Sequence, residues 1–377
     1  MYIQDPQRQQ YRNTISATGY IYKKYRGSKQ IMNGVGNRDD NTVMPAEWER
    51  QSAVMLTWPH KDTDWLNTLD KITHTYIELV REISQYEKLV IVTSNTKYVE
   101  NLLLAIIPEL NTGNVLYIEC NTDDTWSRDH GFISLRSRQN LYFLDFKFNG
   151  WGEKFAADKD NAINKAMYNS GIMKGEYVSH LDFVLEGGSI ESDGKGTIFT
   201  TTCCLTAPHR NQPLTRNEIE QRLKEYLHAQ RILWIDHGSL IGDDTDGHID
   251  TLVRIAPNDT LLYVSCNDRN DPQYDELKKM EKDLLQLRNK EGNPYTLVKL
   301  PLPDAIYDDG DRLPATYANY LVINNAVIVP TYAQENKDKI AMNVIASIFK
   351  DRKIIGVDSR NIIIQHGSIH CCTMQYY

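Results

Sequence analysis

Short apolar runs closed by Gly, Pro or polar turns alternate with longer amphipathic stretches from Met44 onward. The apolar runs predict strands at 53–58, 89–92, 115–118, 131–135, 141–148, 183–185, 198–201, 249–255, 261–265, 320–323, 326–329 and 354–357. Apolar positions at helical spacing predict helices at about 64–86, 96–107, 216–228, 272–289 and 336–349. Near the end, Ile362-Ile363-Ile364 reads as one more strand, followed by a Gly-Ser break and then by Cys371-Cys372. Frayed termini are small and polar, so this end is expected to be clamped into a sheet. Gly188-Ser189-Ile190, Gly238-Ser239-Leu240 and Gly367-Ser368-Ile369 form a faint internal echo of a flexible break feeding a strand. Strands and helices mixed throughout give an α/β or α+β fold.

Residues 1–43 lie outside this pattern. They carry seven Lys/Arg against three Asp and show no hydrophobic periodicity, and they read as a flexible basic leader or an added extension. The domain expected to fold is 44–377, a single catalytic unit. The whole chain is at −8, so its body is acidic, which disfavours nucleic acid and suits a cationic small molecule. No apolar run approaches a membrane span, and no secretory segment is visible. Six cysteines in 377 residues, four of them in two vicinal pairs and none in a C-x-x-C, point to reduced thiols in a cytoplasmic protein rather than to a disulfide scaffold or zinc site.

Four segments join glycines to reactive side chains: Trp126-Ser127-Arg128-Asp129-His130-Gly131, Leu185-Glu186-Gly187-Gly188, Asp246-Gly247-His248-Ile249-Asp250 and His366-Gly367-Ser368-Ile369-His370-Cys371. Each alone reads blandly, as a surface ion pair, a turn, a strand-end pair or inert packing. Together, one thiol, one histidine and three carboxylates suit attack on a guanidinium carbon. That group stays cationic at physiological pH and asks for carboxylates matched to its donors. Asp129 and Asp250 are the clamp candidates. Strand alternation would set His248 and Asp250 on one face and turn His370 away from Cys371, leaving His248 as acid/base. Asp124, Trp126 and Asp244 are candidates for holding a second, distal cation, the last of them within an acidic loop that could equally be solvated. His60 and Trp65 could line the site or be structural, and Cys372 is given no role.

These segments, with Met44-Pro45-Ala46-Glu47-Trp48-Glu49, Thr57-Trp58-Pro59-His60 and Leu313-Pro314-Ala315-Thr316-Tyr317-Ala318-Asn319-Tyr320, resemble the agmatine deiminases and bacterial peptidylarginine-deiminase-like proteins. The resemblance runs from Met44 to the C-terminus. It implies the five-bladed α/β-propeller of the guanidino-modifying (pentein) superfamily, a homodimer, and no metal or organic cofactor. By matching motif it makes Cys371 the nucleophile, His248 the acid/base, Asp129 and Asp250 the guanidinium carboxylates, and Glu186 the carboxylate that positions the histidine. The implied reaction is hydrolysis of agmatine to N-carbamoylputrescine and ammonia, a step toward putrescine. The chain departs from the commoner pattern in lacking a Pro after Gly131, in a shortened glycine run before Cys371, and in Thr251 after His-x-Asp. Rival readings are a deiminase of peptidyl-arginine or another guanidine, a metallohydrolase using His248 and Asp250, and a non-catalytic polyamine binder.

Overall fold

The computed structural model describes residues 41–377. The basic leader therefore lies almost wholly outside the described residues.

One motif recurs: a strand, an antiparallel neighbour, a helical crossover, and a third strand parallel to the second. β1 (Ala53–Thr57), β2 (Lys88–Thr93) and β3 (Val115–Glu119) are parallel, joined by helices Leu69–Ile83 and Thr96–Ile106. β4 (Ile133–Arg136), β5 (Leu141–Lys147) and β6 (Glu176–Val184) form the next sheet, with helix Asp158–Asn169 as crossover. β7 (Ile190–Ser192), β8 (Thr197–Thr201) and β9 (Arg231–Ile235) repeat it with helix Arg216–Tyr226. β10 (Val253–Ala256), β11 (Thr260–Ser265) and β12 (Thr296–Pro301) do so with helix Tyr274–Gln286. After a small hairpin, β13 (Tyr307–Asp308) and β14 (Asp311–Arg312), the motif returns as β15 (Leu321–Ile323), β16 (Ala326–Thr331) and β17 (Lys353–Asp358) around helix Glu335–Ile348. The last strand, β18 (Thr373–Tyr376), runs antiparallel to β1 and supplies the strand the first sheet would otherwise lack.

The residues explain the layers. β1, β8, β11 and nearly all of β16 are buried along their length, as strands covered on both faces must be; β1, β11 and β16 carry continuous apolar runs, and β8 is built from threonines around Ile198-Phe199. Helix Leu69–Ile83 buries Ile72, Tyr76, Ile77, Leu79, Val80 and Ile83 against β1 and β2, a stripe at three- and four-residue spacing. Thr215 and Glu218 form a reciprocal capping box that starts helix Arg216–Tyr226. The chain end is clamped as expected, since Tyr376 is fully buried.

Two expected strands are corrected. Ile363–Gln365 is a turn of 3-10 helix, and the strand follows the cysteines instead of preceding them. Ile249–Thr251 is also a 3-10 turn, with strand beginning only at Val253. Among the described residues no helix is long and apolar enough to cross a membrane.

Candidate active site

The four chemical segments share one structural address. Each is the turn just ahead of the antiparallel opening strand of a sheet: Asp129 before β4, Glu186 and Gly188 before β7, His248 and Asp250 before β10, and Cys371 before β18. The fifth such turn precedes β15 and brings Asn319, which sequence reading quoted but gave no role. The echo is thus real at Gly188 and Gly367, whereas Gly238-Ser239-Leu240 follows β9 and is unrelated.

Asn319 holds the Cys371 turn. Its Oδ1 accepts the backbone N–H of His370 at 3.0 Å and of Cys371 at 3.3 Å, and lies 3.4 Å from the Cys371 thiol. From another sheet, Arg128 N–H donates to the Cys371 carbonyl at 3.1 Å. Cys371 Sγ is 4.0 Å from Asp250 Oδ2. Asp129 accepts from Gly188 N–H at Oδ1 (3.1 Å) and from the Trp151 indole at Oδ2 (3.0 Å), and its Oδ1 is 3.6 Å from His248 Nδ1. Asp250, His248 and Glu186 are completely buried.

Gly188 makes this density possible. A Cβ there would lie 2.6 Å from His248 Nδ1, 2.9 Å from Asp129 Oδ1 and 3.2 Å from Asp250 Oδ2. Glu-Gly-Gly is a turn with a steric reason, because only a residue without a side chain fits between the three groups.

Burial acts on each group, and its neighbours decide the net result. Burial pushes the Asp129 carboxyl up to about 6, against the opposing His248 charge and helped by that of Asp250. Burial would also raise Asp250, but the hydrogen bond and charge of His370, with the charges of His248 and Arg254, hold it below the usual carboxylate range. The Cys371 thiol is driven well above its ordinary range by burial and by the charges of Asp250 and Asp129. Without a cation between them, these groups keep the thiol protonated.

A cleft of about 460 Å³, partly open to solvent, leads in to Asp129 and Cys371. Trp126, Trp151 and Phe155 contribute aromatic wall, and Asp64, Asp124 and Asp244 contribute carboxylates. Among the described residues no arginine or lysine lines it, and His366 is its basic member. Burial pushes Asp124 up to about 6, with the charge of Asp64 adding to it. The acidic loop divides its labour. Asp243 accepts from Thr245 and Gly247, Asp246 pairs with Arg210 and Lys154, and Asp244 faces the cleft with its Oδ2 3.8 Å from His366 Nε2. A Cβ at Gly367 would meet the Trp126 ring at 2.1 Å, so glycine there lets the wall close in.

Three expectations change. Glu186 makes no hydrogen bond to His248, although their polar atoms lie within 4.8 Å. Its Oε1 instead accepts from Arg210 Nε at 2.7 Å, and Arg210 reaches on to Asp246 and the Thr245 carbonyl. His60 and Trp65 do not line the cleft. Trp65 packs on Trp126 and donates to Thr125, while His60 faces a groove beside helix Leu69–Ile83. His370 stays out of the cleft but is bonded to Asp250. Sequence reading also missed Trp151, Asp64 and Arg210. For Trp151 the signal was the run Asn149-Gly150-Trp151-Gly152, a glycine-flanked aromatic that takes a left-handed conformation (φ 56°).

Two side-chain sets approach metal-binding spacing: Glu186, Cys204 and His248, and Glu47, Glu191 and His370. Each already contains a bonded guanidinium, Arg210 in the first and Arg254 in the second, which satisfies carboxylate charge that a metal would need.

The profile of the Porphyromonas-type peptidyl-arginine deiminases matches residues 43–376. A Marinomonas sp. protein assigned as an agmatine deiminase is 33% identical over 361 residues, covering 90% of this chain and 95% of that protein. A solved Porphyromonas gingivalis structure assigned as an arginine deiminase is 46% identical with a TM-score of 0.84, over 89% of this chain and 98% of that one. A C. jejuni agmatine deiminase, solved as a cysteine-to-serine variant with substrate bound, is 36% identical with a TM-score of 0.81, over 89% and 96%. The profile spans the whole β1–β18 core and all five site turns, and on that ground the chain belongs to the Porphyromonas-type peptidyl-arginine deiminase family.

Proposed function

We propose that the protein is an agmatine deiminase, a cysteine-dependent hydrolase that converts agmatine to N-carbamoylputrescine and ammonia. The observation that carries this reading is the lining of the cleft. A thiol and a carboxylate stand at its inner end, and the passage outward offers aromatic rings, Asp64, Asp124 and Asp244, with His366 as its basic side chain and, among the described residues, no Lys or Arg. Agmatine carries a cation at both ends and suits that passage. Free arginine would bring an α-carboxylate past three like charges. The assignment of the P. gingivalis relative favours an arginine-directed second reading. A peptidyl-arginine, whose carboxylate is lost in the peptide bond, is the form the lining opposes least.

In this mechanism Asp129 and Asp250 bind the guanidinium, and its charge offsets the two carboxylates that hold Cys371 protonated. The thiol proton passes to His248, and the thiolate attacks the guanidinium carbon. His248 returns the proton to the departing nitrogen, which leaves as ammonia, and a thiouronium remains on Cys371. Water, deprotonated by His248, adds to that carbon, and the thiolate leaves to give the ureido product. Glu186, tied to Arg210, supplies a negative charge beside His248 while it is protonated. Asp64, Asp124, Asp244 and Trp126 receive the distal ammonium, by charge and cation–π contact. No step uses a metal or organic cofactor.

The five repeated sheets support a further reading, closure into a five-bladed propeller with the site where the five turns converge. Residues 44–377 then act as one catalytic domain. The test is ammonia release from the purified protein offered agmatine, free arginine and an arginyl peptide, with and without chelator. Turnover of agmatine that survives chelation is expected. Preference for the peptide would replace the substrate, and loss on chelation would overturn the thiol mechanism.

A further inference from the structure

We propose that His370 is a positioning residue for this reaction: bridged between Glu47 and Asp250, it fixes the Asp250 carboxylate, and its charge, for the guanidinium. The inference rests on the deiminase reading.

The geometry is specific. His370 Nδ1 is 2.7 Å from Asp250 Oδ2, and Nε2 is 2.7 Å from Glu47 Oε2. With its proton on Nδ1 the ring donates to Asp250, while Nε2 faces both Glu47 Oε2 and an Arg254 guanidinium nitrogen at 3.1 Å. The ring, Asp250 and Glu47 are buried, where such charge-assisted bonds are strong. Glu47 is itself held, since its Oε1 accepts Val322 N–H at 2.7 Å and its Oε2 also pairs with Arg254. Arg254 in turn pairs with Glu191, donates to the carbonyls of Ala318 and Tyr320, and lies over the Tyr320 ring.

The groups around His370 are therefore Asp250, Glu47, Glu191, Arg254 and, through its carbonyl, Arg128. Those around Asp250 are His370, His248, Asp129, Arg254 and Cys371. Two consequences follow. Asp250 Oδ2 is occupied by His370, so the buried Oδ1, which has no hydrogen-bond partner among the described residues, is the oxygen left for the substrate. Asp250, held below the usual carboxylate range, stays ionised where Asp129 begins to protonate, so one clamp carboxylate keeps its charge over that range. Glu47 lies 323 residues from His370 in sequence, which is why neither looks like site machinery in the chain.

The test compares wild type, His370→Phe, His370→Asn and Glu47→Gln by steady-state ammonia release from agmatine between about pH 5 and 9. With His370→Phe, KM for agmatine rises at least tenfold near neutrality. The acid limb of kcat/KM moves up by about one pH unit or more and steepens, because Asp250 now titrates together with Asp129. His370→Asn, which can still donate toward Asp250, recovers part of KM but not the limb, and Glu47→Gln shifts the limb in the same direction. A purely structural role would lower kcat or yield and leave the limb in place; that result overturns the proposal. Should the His370 variants fail to fold, an unmoved limb in Glu47→Gln overturns it as well. An inert wild type would instead sink the functional reading. Calorimetry of agmatine binding to Cys371→Ser, with and without His370→Phe, then decides, and an unchanged affinity refutes the role of His370.

Discussion

Replacing Gly188 by alanine adds one methyl group at the most crowded point of the site. The added Cβ would stand 2.6 Å from His248 Nδ1, about 0.8 Å inside the 3.4 Å at which ordinary contact begins, and 2.9 Å from Asp129 Oδ1. Gly188 does not have a left-handed backbone, so alanine is conformationally acceptable and the penalty is one of contact alone. Overpacking of this kind costs about 1–3 kcal/mol of stability, which lowers Tm by a few degrees. Both His248 ring nitrogens lack protein partners, so the imidazole is the group most able to yield. A displacement near 1 Å in a catalytic group costs on the order of 100-fold in rate. We therefore expect Gly188→Ala to fold, to lose a few degrees of Tm, and to fall about 100-fold in kcat/KM for agmatine, mostly in kcat. Steady-state ammonia release with differential scanning fluorimetry measures both. A variant within threefold of wild type would refute the reasoning, because the three groups could then not need the spacing that glycine preserves.

Trp151→Phe removes the indole N–H from Asp129 and nothing else polar. A hydrogen bond to a charged group is worth about 1.5–3 kcal/mol, so KM should rise roughly 10- to 100-fold; an unchanged KM would show that this bond does not hold the clamp. In the wild type, Asp129 titrates at about 6 and must be ionised to bind a cation, so kcat/KM should fall as pH drops through about 6. Asp250→Asn leaves a buried guanidinium facing one carboxylate, costs about 3–5 kcal/mol, and should nearly abolish turnover, as should Cys371→Ser. Asp160 is buried and its carboxyl is pushed up from 3.8 to about 8, so the stability tied to its proton is fully present below about 4 and is lost progressively as pH rises from there to about 8. Asp160→Asn keeps an acceptor for the Asp123 and Asp124 N–H groups, and its Tm relative to wild type should rise progressively between about pH 4 and pH 8 and level off above that.

Much of this arrangement was legible in the chain because it rests on periodicity and on short motifs. The long helices, such as Leu69–Ile83 and Tyr274–Gln286, have clear apolar stripes and fell where expected. Helix Asp158–Asn169 did not, since its stripe is reduced to Ile163, Asn164 and Met167 among polar residues. Strands β9 and β12 were missed for a related reason, as half-exposed strands carrying Arg231 and Lys299 within them. Ile362-Ile363-Ile364 misled because a buried 3-10 turn and a buried strand have the same composition. Cys371, His248, Asp129 and Asp250 were singled out as candidates through reactive types set beside glycine. Glu47, Arg254 and Asn319 were not, because their chemistry lies in partners hundreds of residues or several turns away.

The convergence of five turns has a consequence for assembly. Each sheet contributes one part of the reacting centre, so no fragment holds enough to react by itself, and loss of any one sheet disconnects the rest. Catalysis is then a readout of the fully docked core, and heat inactivation should coincide with loss of tertiary signal rather than precede it. The same division makes the chain a candidate for split-protein complementation. Two inert halves severed between β6 and β7 would regain turnover only when their turns meet again.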